Sequence, residues 1–260
     1  MIKICLLYCT HSDATLNFEF ESMNLAIDQG NSSTKLGFFD KGKLIATYKL
    51  FFLDQQKLNE LCKRHSPGKI IVSSVTQETK ILEQFFSAAK TRFIIFDQNT
   101  PLPFINQYKT PETLGKDRLA AIAGAQAHYP ESTLLIIDAG TAITFDLVVG
   151  NTFTGGNISP GLQMRFTALH TQTKQLPKVE PGQSEFWGKT TEEAIRSGVQ
   201  NGIIMELDSY IDKTRKQYPD VKTIITGGDA DFFVTYTKNI IFVHPNLVLH
   251  GLNRILEYNA

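Results

Sequence analysis

Two short stretches carry residue types whose spacing suits phosphate chemistry. The first is Asp28-Gln29-Gly30-Asn31-Ser32-Ser33-Thr34-Lys35, which follows the apolar run Leu25-Ala26-Ile27. A strand would deliver the Asp28 carboxylate to its end, and Gly30 would let the backbone turn tightly. Successive backbone N–H groups at such a turn, with the Asn31 amide and the Ser32 and Ser33 hydroxyls, form a concavity suited to phosphate oxygens. A carboxylate repels phosphate, so Asp28 would instead hold Mg²⁺ or a metal-bound water. A plain hairpin turn stays open as an alternative, because Asp, Gly, Asn and Ser are turn formers. The second stretch is Ile136-Ile137-Asp138-Ala139-Gly140-Thr141-Ala142-Ile143-Thr144. It repeats the design: an apolar run, Asp-x-Gly followed by two small residues, and a Thr four positions past the glycine where the next run opens. Two such turns facing each other across a cleft would grip a nucleotide's phosphates from both sides.

A third stretch runs Tyr108-Lys109-Thr110-Pro111-Glu112-Thr113-Leu114-Gly115-Lys116-Asp117-Arg118. Thr110-Pro111 reads as an N-cap followed by proline at the first helical position, opening a helix over 112–127. Gly115 is unfavourable in early helical turns unless the backbone must approach something closely. Asp117 and Arg118 would then be a base and an anion-binding fork side by side, or simply an acidic and a basic residue on a solvated face. Glycines also cluster at 154–161, read as closing a strand and starting a helix, and at 227–228, ending another strand. Gly188-Lys189-Thr190 is no P-loop, since its upstream glycine is misplaced by one residue and the segment opens directly onto a helix. Neither GxGxxG, GxSxG nor HExxH occurs.

The elements that must position these residues are legible in outline. Short β-rich runs fall at 25–28, 36–39, 44–50, 69–73, 93–97, 134–138, 143–149, 222–226 and 240–243, with helical stretches at 77–90, 112–127, 190–216 and 247–258. Their alternation, with hairpin-like pairs ahead of the helices, predicts an α/β protein with mixed sheets. The echoed Asp-x-Gly turns predict two related halves, 23–128 and 129–260. Residues 1–22 read as an extension ahead of Met23, which opens onto the first motif strand. Lys plus Arg and Asp plus Glu each number 26 in 260 residues, which argues against a non-specific nucleic-acid binder. No apolar run approaches the length of a membrane helix, and three cysteines suggest a reducing compartment, the cytoplasm.

From Met23 onward the chain resembles the type III pantothenate kinases. The resemblance rests on Asp-x-Gly-Asn-Ser at 28–32, Gly-x-Asp-Arg at 115–118, Asp-x-Gly-Thr-Ala at 138–142, Gly-Gly-x-Ile-x-Pro-Gly at 155–161, Gly-Lys-Thr-Thr-Glu-Glu-Ala-Ile at 188–195 and Thr-Gly-Gly at 226–228, in that order. It implies the actin-like, sugar-kinase-like fold of two duplicated ribonuclease-H-like domains with a nucleotide cleft between them. It implies phosphoryl transfer from ATP to the terminal hydroxyl of pantothenate, the first step of coenzyme A synthesis. Another small-molecule kinase of this superfold, or a nucleotide-binding module, is the competing reading. By resemblance Asp117 is the general base, Asp28 to Lys35 the phosphate-binding loop, and Thr141 a further ATP contact. Tyr108, Gly115, Lys116, Asp117 and Arg118 form the pantothenate pocket, completed by Thr191 of a homodimer partner. Asp138 is similar to the family's ligand for a monovalent cation, potassium or ammonium, which tempers the assignment of both Asp-x-Gly turns to magnesium. Arg118 would pair with the substrate carboxylate or with the transferring phosphoryl.

Overall fold

The computed structural model describes residues 23–30, 33–51, 54–74, 79–87 and 91–260. The extension 1–22 and the loop residues Asn31 and Ser32 lie outside them. The first sheet is built from β1 (Asn24–Gln29), β2 (Thr34–Asp40), β3 (Lys43–Leu50), β4 (Lys69–Ser74) and β5 (Arg92–Ile95), in the order β3-β2-β1-β4-β5. Helices α1 (Gln55–His65) and α2 (Thr79–Ser87) cover one face. The second sheet contains β6 (Ile105–Asn106), β7 (Leu134–Ala139), β8 (Ala142–Val149), β9 (Thr152–Pro160), β10 (Lys222–Thr226) and β11 (Phe242–Val243), in the order β11-β10-β7-β8-β9-β6. The remaining helices are α3 (Lys116–His128), α4 (Leu162–Gln172), α5 (Thr191–Gln217), α6 (Ala230–Val234) and α7 (Leu247–Tyr258).

Alternation along the central strands assigns their two faces. Leu25 and Ile27 of β1, with Ile70 and Val72 of β4, pack on Leu58, Leu61, Leu82 and Phe86 of the outer helices. Ala26 and Ile71, on the opposite face, join a core with α3 and α7 that continues into Leu134 and Ile136 of β7 and Ile224 of β10. Leu135, Ile137 and Ile225 then face Ile195, Val199, Ile203 and Leu207 of α5. The molecule is therefore layered as helices, sheet, helices, sheet, helices. Strands covered on both faces must be apolar throughout, which is why β1, β4, β7 and β10 read as continuous hydrophobic runs.

The sheets repeat one another. Order 3-2-1-4-5 in the first becomes 9-8-7-10-11 in the second, with antiparallel hairpins on one side and parallel pairs on the other. Both second strands carry an irregularity, at Phe38/Phe39 and at Leu147/Val148. Counted from the hairpin turns, Gln29 opposite Thr34 and Ala139 opposite Ile143, the two irregularities fall at the same place. β6 joins the far edge of the second sheet and α7 packs back against β1 and α3.

Several local readings change. The helix expected over 112–127 begins at Lys116, because 111–113 forms a separate 3-10 turn and Leu114 is extended. Gly115 is thus the N-cap of α3 and no interruption of it. The 154–161 stretch does close β9 and lead into α4 as expected, with Gly155 and Gly156 inside the strand and Gly161 the N-cap of the helix. Helix α1 falls where no element was expected, in a polar stretch whose start is capped by Asp54 accepting from Gln56 and Lys57 N–H at 2.9 and 3.2 Å.

Candidate functional site

Because β1 and β7 are equivalent strands, their C-terminal ends bring Asp28 and Asp138 to the same place. Both line a cavity of about 140 Å³ with Gln29, Gly30, Lys35, Ser73, Asp117, Gly227 and Asn246. Gly227 has φ 99°, and a Cβ there would run into the Ala139 carbonyl and the Asp138 carboxylate, so the second glycine turn is shaped around Asp138. Burial pushes the Asp28 carboxyl up to about 6, with Lys35 pulling it down and Asp117 pushing it up. Asp138 is driven to about 7 by burial first and by the Asp117 charge second, against Lys35.

Asp117 is the second residue of α3 and is exposed to the cavity. The Arg118 N–H donates to its Oδ1 at 2.8 Å, which fixes the direction of the carboxylate. Lys116 turns aside: its Nζ donates to the Ser74 carbonyl at 2.7 Å, and the Ser74 hydroxyl donates to Gln29 Oε1 at 2.8 Å. This relay ties the start of α3 to the ends of β1 and β4.

Arg118 is not the open anion fork that its position suggested. It is buried, and its Nε donates to both Asp146 oxygens at 3.0 and 3.1 Å while Nη2 reaches Oδ1 at 2.5 Å. Its guanidinium lies 5.6 Å from the Tyr108 ring and 5.9 Å from that of Phe153, and those rings stack 5.9 Å apart at 9°. Gly156 leaves room for the pair, since a Cβ there would meet Asp146 and Arg118. Asp146 escaped the sequence reading, although a carboxylate at an inward position of the apolar run 143–149 is itself a signal that a buried cation must exist.

A second cavity of about 750 Å³ adjoins the first, and Lys35 lines both. Its walls include Ser33, Lys49, Gly140, Thr141, Gly228, Asp229 and the α4 face of Gln163, Met164, Thr167 and Thr171. Thr34 is buried in β2 and lines neither cavity. Nor does Thr191, the exposed first residue of α5, whose helix starts with a capping box between Thr190 and Glu193. Lys49, Ser73, Asn246 and the α4 wall were missed by sequence reasoning, and no local pattern marks them. Among the described residues no trio of His, Cys, Asp or Glu is grouped to hold a metal. The donor set fits a cation all the same. Asp28 and Asp138 are half-buried carboxylates whose values are raised first by desolvation, a cost that a bound cation would offset, and Mg²⁺ characteristically takes one or two carboxylates with waters and substrate phosphates.

A family model described as type III pantothenate kinase matches residues 24–213. A type III pantothenate kinase of Phocaeicola vulgatus is 43% identical over 239 residues, spanning 91% of this chain and 99% of its own length. One of Porphyromonas gingivalis is 42% identical over 244 residues, spanning 92% and 100%. Among solved structures, component A of the (R)-2-hydroxyglutaryl-CoA dehydratase of Acidaminococcus fermentans aligns with TM-score 0.52 at 14% identity, over 92% of this chain and 97% of that one. That last likeness speaks to fold alone, and the fold is that of the actin-like ATPases and sugar kinases.

Proposed function

The chain belongs to the type III pantothenate kinase family, and from that premise we propose how its cleft performs the reaction. The enzyme phosphorylates pantothenate with ATP in coenzyme A synthesis. The observation that carries our assignment of roles is the convergence of Asp28, Asp117, Asp138 and Lys35 on one small cavity beside a larger one. The larger cavity takes ATP, its phosphates lying toward the 28–35 turn, Gly140 and Thr141. The small cavity is where the γ-phosphoryl meets the acceptor hydroxyl.

Phosphoryl transfer passes through a loose transition state, so positioning and charge neutralisation are most of the catalysis. Asp117 orients the primary hydroxyl of pantothenate and accepts its proton as the new O–P bond forms. Lys35, common to both cavities, neutralises charge along the line of transfer. Tyr108 and the 115–118 segment form the pantothenate pocket. Arg118, held by Asp146 among the Tyr108 and Phe153 rings and absent from the small cavity's lining, serves the substrate's far end, not the transferring phosphoryl. Mg²⁺ would be held near Asp28 and a monovalent cation, potassium or ammonium, at Asp138; bound there, they offset the charge of the carboxylates and phosphates. The enzyme acts in the cytoplasm as a homodimer of two-domain subunits, 23–128 and 129–260, with Thr191 completing the partner's pantothenate pocket.

A coupled ADP-release assay tests this reading. Turnover should require pantothenate and fall when sodium replaces potassium. Equal turnover in both salts would remove the monovalent-cation role of Asp138, and ADP release indifferent to pantothenate would overturn the assignment of the acceptor pocket.

A further inference from the structure

Lys35 and Lys49 are directly opposite one another in the antiparallel β2/β3 pair, so their side chains leave the same face of the sheet. Like charges so placed repel. Among the described residues neither lysine has a carboxylate within ion-pair distance, and the Lys49 ammonium rests 5.5 Å from the Phe51 ring centroid. Both line the larger cavity, where they are the only cationic residues among the described lining.

The two lysines do not have equal calls on their charge. Lys35 also lines the small cavity, and its charge pulls down the carboxyls of both Asp28 and Asp138. Among the described residues Lys49 has no carboxylate within ion-pair distance. A nucleotide triphosphate entering the larger cavity brings several negative charges toward two half-buried carboxylates, and the cation facing it from the sheet without a carboxylate partner among the described residues is Lys49. β3 is an edge strand, where lysines also serve to discourage pairing with another chain. That role needs only exposure, however, and does not account for a side chain that lines the cavity opposite a second lysine.

We infer that Lys49 is a second phosphate-binding residue, which with Lys35 clamps the polyphosphate tail of the nucleotide. Lys35 holds the end being transferred, and Lys49 holds the phosphates that stay behind with the nucleoside. This rests on reading the larger cavity as the nucleotide site.

The test is calorimetric titration of ATP, ADP and adenosine into the intact protein and two variants. Lys49→Gln, at an exposed strand position, should weaken ATP and ADP by about tenfold, the scale of one charge-assisted contact, and leave adenosine unchanged. The gap between variant and wild type should narrow at high salt. ATP binding within twofold of wild type, or an equal loss for adenosine, would overturn the assignment. Ala168→Trp fills the α4 wall of the cavity and should weaken all three ligands. If Ala168→Trp leaves ATP binding intact, the nucleotide is elsewhere and both readings fall. If it weakens ATP while Lys49→Gln does not, the cavity reading stands and the role of Lys49 alone is refuted.

Discussion

Asp28 and Asp138 occupy equivalent strand ends, yet they share the electrostatic cost of being carboxylates in a buried cleft. Burial holds their carboxyls at about 6 and about 7, against about 4 for an aspartate in an unfolded chain. The folded state therefore keeps protons that the unfolded state releases. The stability so contributed is full below about pH 4 and is lost as pH rises through 6 and then 7. Asp138→Asn should accordingly raise the Tm of the ligand-free protein at pH 8, in buffer without potassium or magnesium, on the order of a few degrees, and by clearly less at pH 5. Added potassium should then raise the wild-type Tm at pH 8 but not that of the variant. Asp117, exposed and oriented by the Arg118 N–H, answers to a different measurement. Asp117→Asn should lower turnover on the order of a hundredfold, the usual scale for losing a general base, without lowering the melting temperature, since it also relieves the repulsion of Asp28 and Asp138. Near-wild-type turnover would remove it from the mechanism.

At the scale of elements, α3 and α7 carry the join between the sheets. Gly124 and Gly251 let these helices approach until a methyl on Gly251 would run into the Ala120 carbonyl. Alanine is the better helix former by about 1 kcal/mol, but it would have to force two backbones apart, and overpacking typically costs about 1–3 kcal/mol. Gly251→Ala is expected to destabilise the protein by up to about 2 kcal/mol net in urea unfolding, against what propensity alone would forecast. The start of α3 is pinned twice, by Lys116 on Ser74 and by Arg118 on Asp146. Asp146→Ala would strand the Arg118 charge in the interior, a loss of about 3–5 kcal/mol. Replacing both residues with leucine should recover much of that stability but not pantothenate binding, which separates the structural contribution of the pair from its contribution to the pocket.

For the whole molecule, the duplicated sheets set two Asp-x-Gly turns against each other, and Thr191 stands outside both cavities of its own subunit. A pocket completed by a neighbour's Thr191 makes acceptor binding depend on assembly, whereas every residue we assign to ATP lies in one chain. If the proposed dimer forms, dilution below its dissociation constant should therefore abolish pantothenate binding before ATP binding, followed by titration at a series of protein concentrations. Parallel loss of both ligands would speak against the shared pocket.

The sequence by itself determined the fold class, the central strands, the echoed Asp-x-Gly turns and the Asp117 motif. Each is encoded by neighbours within about ten residues, through apolar runs, turn glycines and the chemistry of adjacent side chains. Helix α1 was illegible because its start depends on one capping aspartate and its apolar face is narrow. The start of α3 was misjudged because the proline that signals a helix opens a 3-10 turn instead. Only the tertiary structure decided that Arg118 is claimed by Asp146, that Asn246 from the C-terminal segment lines the small cavity, and that α4 walls the large one. Those contacts join residues far apart in the chain, and burial, which gives each charge its meaning, exists only once the layers have closed.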